Sequence, residues 1–307
     1  MTNLPQLQRP FLTDGGMETD LLFNHKIDLP CFSSTTLLDD AYKRKAMHDY
    51  FVEYLDTAEE MGVGFILESP SWRASPDWAE PLGLSLAELA DRNRSAIRLM
   101  QKLRDEKDRG IPILISGCIG PRGDGYVAGE SMTADEATEY HSWQAQILSD
   151  AGADQITALT MTNIPEATGV ARAARRAGTP VAISFTVETD GRIPSGESLG
   201  QAIKAVDKAT DGYPAYFMVN CAHPDHFADA LDEKADWIGR VRGIRANASR
   251  MSHEELDAME VLDDGNPIEL GADHAKLVER LPHLTVLGGC CGTDHRHVEA
   301  IAKAAYA

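Results

Sequence analysis

A chain of 307 residues with 43% apolar and 25% charged content can build a sizeable core, which excludes a disordered chain. Its formal net charge of −19 repels nucleic-acid phosphates and anionic lipid, so neither is expected as a partner. The opening MTNLPQLQRP is polar and no stretch approaches the ~20 apolar residues of a membrane helix, so a cytoplasmic protein without a secretory signal is expected.

Short apolar runs alternate with longer amphipathic segments. The runs, in order, are FLTDGG from Phe11, GFILES from Gly64, PILISG from Pro112, ADQITAL from Ala153, PVAISFTV from Pro180, AYFMVNC from Ala215, WIGRVRG from Trp237 and LTVLGGCC from Leu284. Continuous apolar runs of this length suit strands of a parallel sheet buried on both faces. Helical patterns lie between them. DAYKRKAMHDYFVEYLDTAEEMG ends at Gly62, a C-cap candidate, and SLAELADRNRSAIRLMQKLRDEKDRG ends at Gly110. TADEATEYHSWQAQILSDAG opens with a Thr133–Glu136 capping-box pattern, and IPEATGVARAARRAG and SLGQAIKAVDKA precede the fifth and sixth runs. Strands interleaved with helices, without a G-x-G-x-x-G in the first turn, favour an α/β fold closed as a (β/α)8 TIM barrel, one domain over residues 1–307. The polar stretch NASRMSHEELDAMEVLDDGNPIEL reads as a long excursion after strand seven, bordering the site.

Five cysteines, an odd number, argue against a disulfide framework. Cys221 closes the sixth run, and Cys290 and Cys291 close the eighth, so all three meet at the C-terminal face, where barrels build their sites. Three thiolates there match the protein's share of an open Zn2+ site, whose fourth position takes water or a substrate sulfur. Zinc suits this chemistry because a thiol on it loses its proton near neutral pH and stays nucleophilic. Gly288, Gly289 and Gly292 would let the backbone turn so that adjacent cysteines face one ion. Lone cysteines are more often small buried hydrophobes; Cys31 reads as packing, and Cys118, ending the third run, as a neighbour of the site.

Several motifs carry a resemblance. FLTDGGMET (Phe11–Thr19), GCIGPRG (Gly117–Gly123), AGAD (Ala151–Asp154), SFT (Ser184–Thr186), NC (Asn220–Cys221) and GGCCGT (Gly288–Thr293) stand in the order found in homocysteine S-methyltransferases. The chain resembles that family almost from end to end. The resemblance implies an enzyme of methionine biosynthesis that moves a methyl group from a small cationic donor, S-methylmethionine before betaine or a folate, to homocysteine. It implies Zn2+ on Cys221, Cys290 and Cys291, small-molecule partners only, and leaves homo-oligomerisation open. It also implies that Asp14 and Ser69 hold the acceptor's amino-acid end.

One position departs from the family. Many members place Glu before Thr near the end of strand four to bind the substrate ammonium, whereas this chain has Leu159 before Thr160. Either Glu18 or Glu68 compensates, or the acceptor is another thiol or onium compound; a non-catalytic zinc-binding barrel is a third reading. Trp72 and Trp78 read as a cover on the barrel rim or the wall of an onium pocket. His223, His226, His295 and His297 read as neighbours or helix starts, not ligands.

Overall fold

The computed structural model describes residues 4–127 and 132–306. Its strands are β1 (Phe11–Leu12), β2 (Gly64–Glu68), β3 (Ile113–Ile119), β4 (Gln155–Met161), β5 (Val181–Phe185), β6 (Tyr216–Asn220), β7 (Val241–Ala246) and β8 (Val286–Gly289). They pair in parallel in chain order, and β8 returns to β1, so the expected (β/α)8 barrel is the fold. Every residue of β2, β4, β5, β6 and β8 is buried, which is why these strands read as unbroken apolar runs.

The outer helices are α1 (Ala41–Met61), α2 (Leu86–Asp105), α3 (Ala134–Asp150), α4 (Ile164–Ala177), α5 (Leu199–Thr210), α6 (Pro224–Phe227), α7 (His253–Asp257), α8 (Pro267–Arg280) and α9 (His295–Tyr306). Gly62 ends α1 with φ 65°, as its sequence position suggests, and the Thr133–Glu136 capping box opens α3. Two expectations shift. Helix α2 stops at Asp105, and Gly110 (φ 65°) serves the turn into β3. In WIGRVRG the first part is a 3-10 turn, Ile238–Arg240, and the strand starts at Val241. The cause is Arg240, whose guanidinium pairs with Asp207 at 2.8 and 2.9 Å and fastens the turn to α5.

Between β6 and β7 the helix shrinks to the single turn α6. No helix among the described residues is long and apolar enough to cross a membrane. The N-terminal end of the barrel is plugged by its own chain. Leu4 packs inside with Phe11, Ile66, Tyr216 and Val286, and Gln6 donates to Gln155 Oε1 at 2.6 Å. The opposite end holds the cavity.

Candidate metal and substrate site

Each of the three cysteines follows a strand at the C-terminal face, and their sulfurs all lie within 4.8 Å of one another. Against the expectation drawn from the odd cysteine count, Cys221 and Cys290 are joined as a disulfide, because the barrel brings the ends of β6 and β8 together; Cys291 Sγ lies 3.9 Å from Cys221 Sγ. Cys221 leaves β6 with φ 54°, an unusual conformation for a side-chain-bearing residue, and its N–H donates to Arg245 O at 3.1 Å. Cys290 N donates to Ala246 O at 2.8 Å, so β7 fixes both cysteine-bearing corners.

The glycines around the pair divide their work differently from the sequence expectation. Gly288 and Gly289 are strand residues, and a Cβ on either would collide with the Thr13 or Thr293 hydroxyl. Their smallness serves close packing, while Gly292, with φ 80°, makes the turn.

Asn220, last residue of β6, organises the floor. Its Oδ1 accepts from Thr160 N at 2.9 Å and Ser184 Oγ at 2.6 Å, while its Nδ2 donates to Thr160 Oγ1 at 2.9 Å and lies 3.8 Å from Cys290 Sγ. These bonds hold Thr160 at φ 62°, costly for a β-branched residue, where the β4–β5 register shifts. The resulting bulge sets Leu159 and Thr160 in the cavity wall.

Two loops cover the sulfurs. Tyr126, after β3, brings its hydroxyl to 3.1 Å from Cys291 Sγ and 3.9 Å from Cys221 Sγ. Its ring lies 4.4 Å from that of His253, at the start of α7, whose Nε2 is 2.6 Å from Cys221 O. Burial pushes both the Tyr126 phenol and the Cys291 thiol up, so each holds its proton at neutral pH unless a cation joins the sulfurs. The excursion after β7 lines the cavity with Leu256, Met259, Val261 and Leu262, as its polar, loop-like sequence suggested.

The cavity has a volume of about 410 Å³ and is bordered by Asp14, Glu18, Glu68 and Ser69 together with the three cysteines. Asp14 is buried, its Oδ1 accepting from Arg245 Nη2 at 2.9 Å and its Oδ2 from Tyr50 at 3.2 Å. Glu18 is half-buried and its carboxyl is pushed up by burial. Glu68, at the end of β2, is pushed up to about 7 by burial, against the pull of Arg245. Ser69 sits in the wall with its hydroxyl engaged: it accepts from Cys118 N at 3.0 Å and lies 2.7 Å from Ser71 Oγ, which itself donates to Cys118 O.

Trp72 borders the cavity, but the faces of Trp72 and Trp78 are occupied from within. The Arg73 guanidinium stands 5.1 and 4.6 Å from their ring centroids and 5.8 Å from that of Phe32. The histidines fall outside the sulfur cluster. His223 Nδ1 caps α6, His226 meets Arg250 O, His295 faces Glu53, and buried His297 bridges Asp294 and Asp264 O. Cys118 is buried in the cavity wall, and Cys31 lies 3.6 Å from Pro81 O.

Arg245, Tyr126 and His253 are the neighbours sequence reading missed. None stands in a local pattern; Arg245 lies two residues beyond the seventh apolar run, and only the excursion carrying His253 pointed toward the site.

The sequence profile described as homocysteine S-methyltransferase matches residues 11–305. The chain belongs to the homocysteine S-methyltransferase family. A selenocysteine Se-methyltransferase from Brassica oleracea var. italica is 26% identical, with 95% of this chain and 88% of that protein aligned. Homocysteine S-methyltransferase 1 from Arabidopsis thaliana is 24% identical over 95% of this chain and 92% of its own length. Among solved structures, the metallated form of the Escherichia coli homocysteine methyltransferase MmuM superposes with a TM-score of 0.74 at 20% identity, covering 96% of each chain. The oxidized form of the same protein gives 0.73 at the same identity and coverage. These likenesses show the shared barrel.

Proposed function

We propose that this chain, as one catalytic unit over residues 1–307, transfers a methyl group from a small cationic donor of the S-methylmethionine type to the thiol of homocysteine, giving methionine. The observation that carries the reading is the convergence of the Cys221, Cys290 and Cys291 sulfurs within 4.8 Å at the wall of the cavity.

The residues present fit Zn2+. With the Cys221–Cys290 disulfide reduced, the donor set is three sulfurs, and among the described residues no His, Asp or Glu joins them as a fourth candidate ligand. Burial opposes ionisation of Cys291, so gathering thiolates here calls for a compensating cation. When bound, zinc supplies the lowered pKa that makes an incoming thiol a nucleophile at neutral pH. The rest is the chain's own work. The cavity orients acceptor and donor in line, so that the new S–CH3 bond forms as the donor's onium bond breaks. The departing electron pair stays on the donor sulfur or nitrogen, and the thiol proton leaves to solvent. Asp14, Glu18, Glu68 and Ser69 form the polar wall against the acceptor's charged end.

A second reading, a different thiol or a selenol as acceptor, is supported by Leu159 in the cavity wall and by the selenocysteine Se-methyltransferase relative. Methionine formation from homocysteine and S-methylmethionine, measured on reduced, zinc-supplemented protein beside cysteine and selenocysteine as acceptors, separates the two. Absence of methyl transfer to every thiol or selenol, from any onium donor, would sink both. Cys290→Ala and Cys291→Ala are expected to lose stoichiometric zinc and turnover together; zinc retained at one equivalent contradicts the ligand assignment.

A further inference from the structure

The cavity wall holds an acid and a base that are each left one bond short. Arg245 is only 4% exposed and is held on three sides: Nε donates to Gly289 O at 3.0 Å, and Nη2 to Asp14 Oδ1 at 2.9 Å and Gly15 O at 3.1 Å. Its Nη1 is buried without a hydrogen-bond partner. Glu68, 5% exposed, likewise has Oε2 buried without one. Both residues border the same cavity as the three cysteines. A buried guanidinium nitrogen and a buried carboxyl oxygen without partners are costly, and a ligand that offers an acceptor to one and a donor to the other removes both penalties.

Two other polar groups of the wall that the sequence singles out, Asp14 and Ser69, are committed elsewhere. Both Asp14 oxygens are engaged, by Arg245 and Tyr50. The Ser69 hydroxyl braces the β2 and β3 ends, and Leu159 offers an ammonium nothing. Glu18 is half-buried, whereas Glu68 is buried.

We propose that Glu68 and Arg245 clamp the head group of the acceptor, Glu68 taking its ammonium and Arg245 Nη1 its carboxylate, so that the substrate class is free α-amino acids bearing a thiol or selenol. Asp14 then acts through Arg245, as a positioning residue. This rests on the transferase reading above and assigns the selectivity of the same cavity.

The test uses reduced, zinc-loaded, full-length protein. Initial rates are compared for homocysteine, 4-mercaptobutyrate, which lacks the ammonium, and 3-mercaptopropylamine, which lacks the carboxylate. Wild type is expected to favour homocysteine over each analogue by about 100-fold in kcat/KM, carried by KM. In Glu68→Gln the advantage over 4-mercaptobutyrate is expected to fall by about 30-fold, while the advantage over 3-mercaptopropylamine persists. Equal use of homocysteine and 4-mercaptobutyrate by wild type, or an unchanged preference in the variant, overturns the clamp. Calorimetric binding of L-methionine, which needs no transfer, is expected to weaken by about 30-fold in Glu68→Gln. Equal methionine affinity in the two proteins overturns the clamp whatever the rates. Weakened methionine binding without methyl transfer to any thiol supports the clamp and overturns the transferase reading instead.

Discussion

Tyr126 shows how much of this site depends on a residue with no motif around it. Its hydroxyl, 3.1 Å from Cys291 Sγ, is positioned to donate a hydrogen bond to that sulfur, and burial keeps the phenol protonated and able to donate. A donor aimed at a ligand sulfur stabilises the thiolate and hence the metal it holds, an outer contact that typically changes metal affinity 10- to 100-fold. Tyr126→Phe is therefore expected to weaken zinc binding by about 10-fold, measured by competition with a chromophoric chelator. An unchanged zinc affinity would leave the hydroxyl without a role at the sulfurs. Asn220 works at the same scale by another route, holding Thr160 in its left-handed conformation and bringing Nδ2 to 3.8 Å from Cys290 Sγ. Its place beside Cys221 in the sequence made it visible, whereas Tyr126 lies on a different loop, brought in by the barrel.

Among the elements, the excursion after β7 has the clearest division of labour. His253 anchors it by Nε2 to Cys221 O, and the Ser252–Glu255 capping box starts α7. Beyond that anchor, residues 254–262 include no buried side chain, yet Leu256, Met259, Val261 and Leu262 border the cavity. A segment that covers the site without filling the core governs substrate retention more than folding. Replacing 254–262 with a Gly-Ser linker of equal length is expected to raise KM for both substrates by about 10-fold or more and to shift Tm by less than about 4 °C. A large fall in Tm with unchanged KM would make the segment structural instead. The physics of element types explains what the sequence showed. Strands buried on both faces announce themselves as apolar runs, and capped helices carry their start signals locally. The β7 run misled by four residues because Trp237 and Ile238 are apolar without being strand, and Arg240 is tied outward to Asp207. The three cysteines were legible because strand ends share one face of a barrel. The Arg245–Asp14 pair was not, because those residues are 231 positions apart and meet only once β8 closes on β1.

For the whole molecule, the same cavity sets a pH dependence of stability. Two effects lower stability as pH rises: repulsion within a chain of net charge −19, and ionisation of carboxyls buried in the wall. Salt separates them, since surface repulsion is screened over about 8 Å at physiological ionic strength and a buried group is screened much less. Glu68 gives the buried part a definite window. Its carboxyl ionises near 4.5 in an unfolded chain and near 7 in the fold, because burial disfavours the charged form more than Arg245 favours it. The folded state therefore binds the extra proton, so the stabilisation is complete below pH 4.5 and is lost as pH rises through 7. Above that the ionised group costs about 3 kcal/mol. Glu68→Gln removes the titration while keeping the shape, so at pH 8 the variant is expected to be more stable than wild type by about 2 kcal/mol or more, the difference shrinking to under about 1 kcal/mol near pH 5 and persisting in high salt. Denaturant unfolding of both proteins at the two pH values reads this directly. A variant no more stable than wild type at pH 8 would show that Glu68 is better satisfied in the fold than its unpartnered oxygen indicates. A variant more stable at pH 8 and weaker for methionine would mean that the carboxylate binding the substrate also costs the free fold stability.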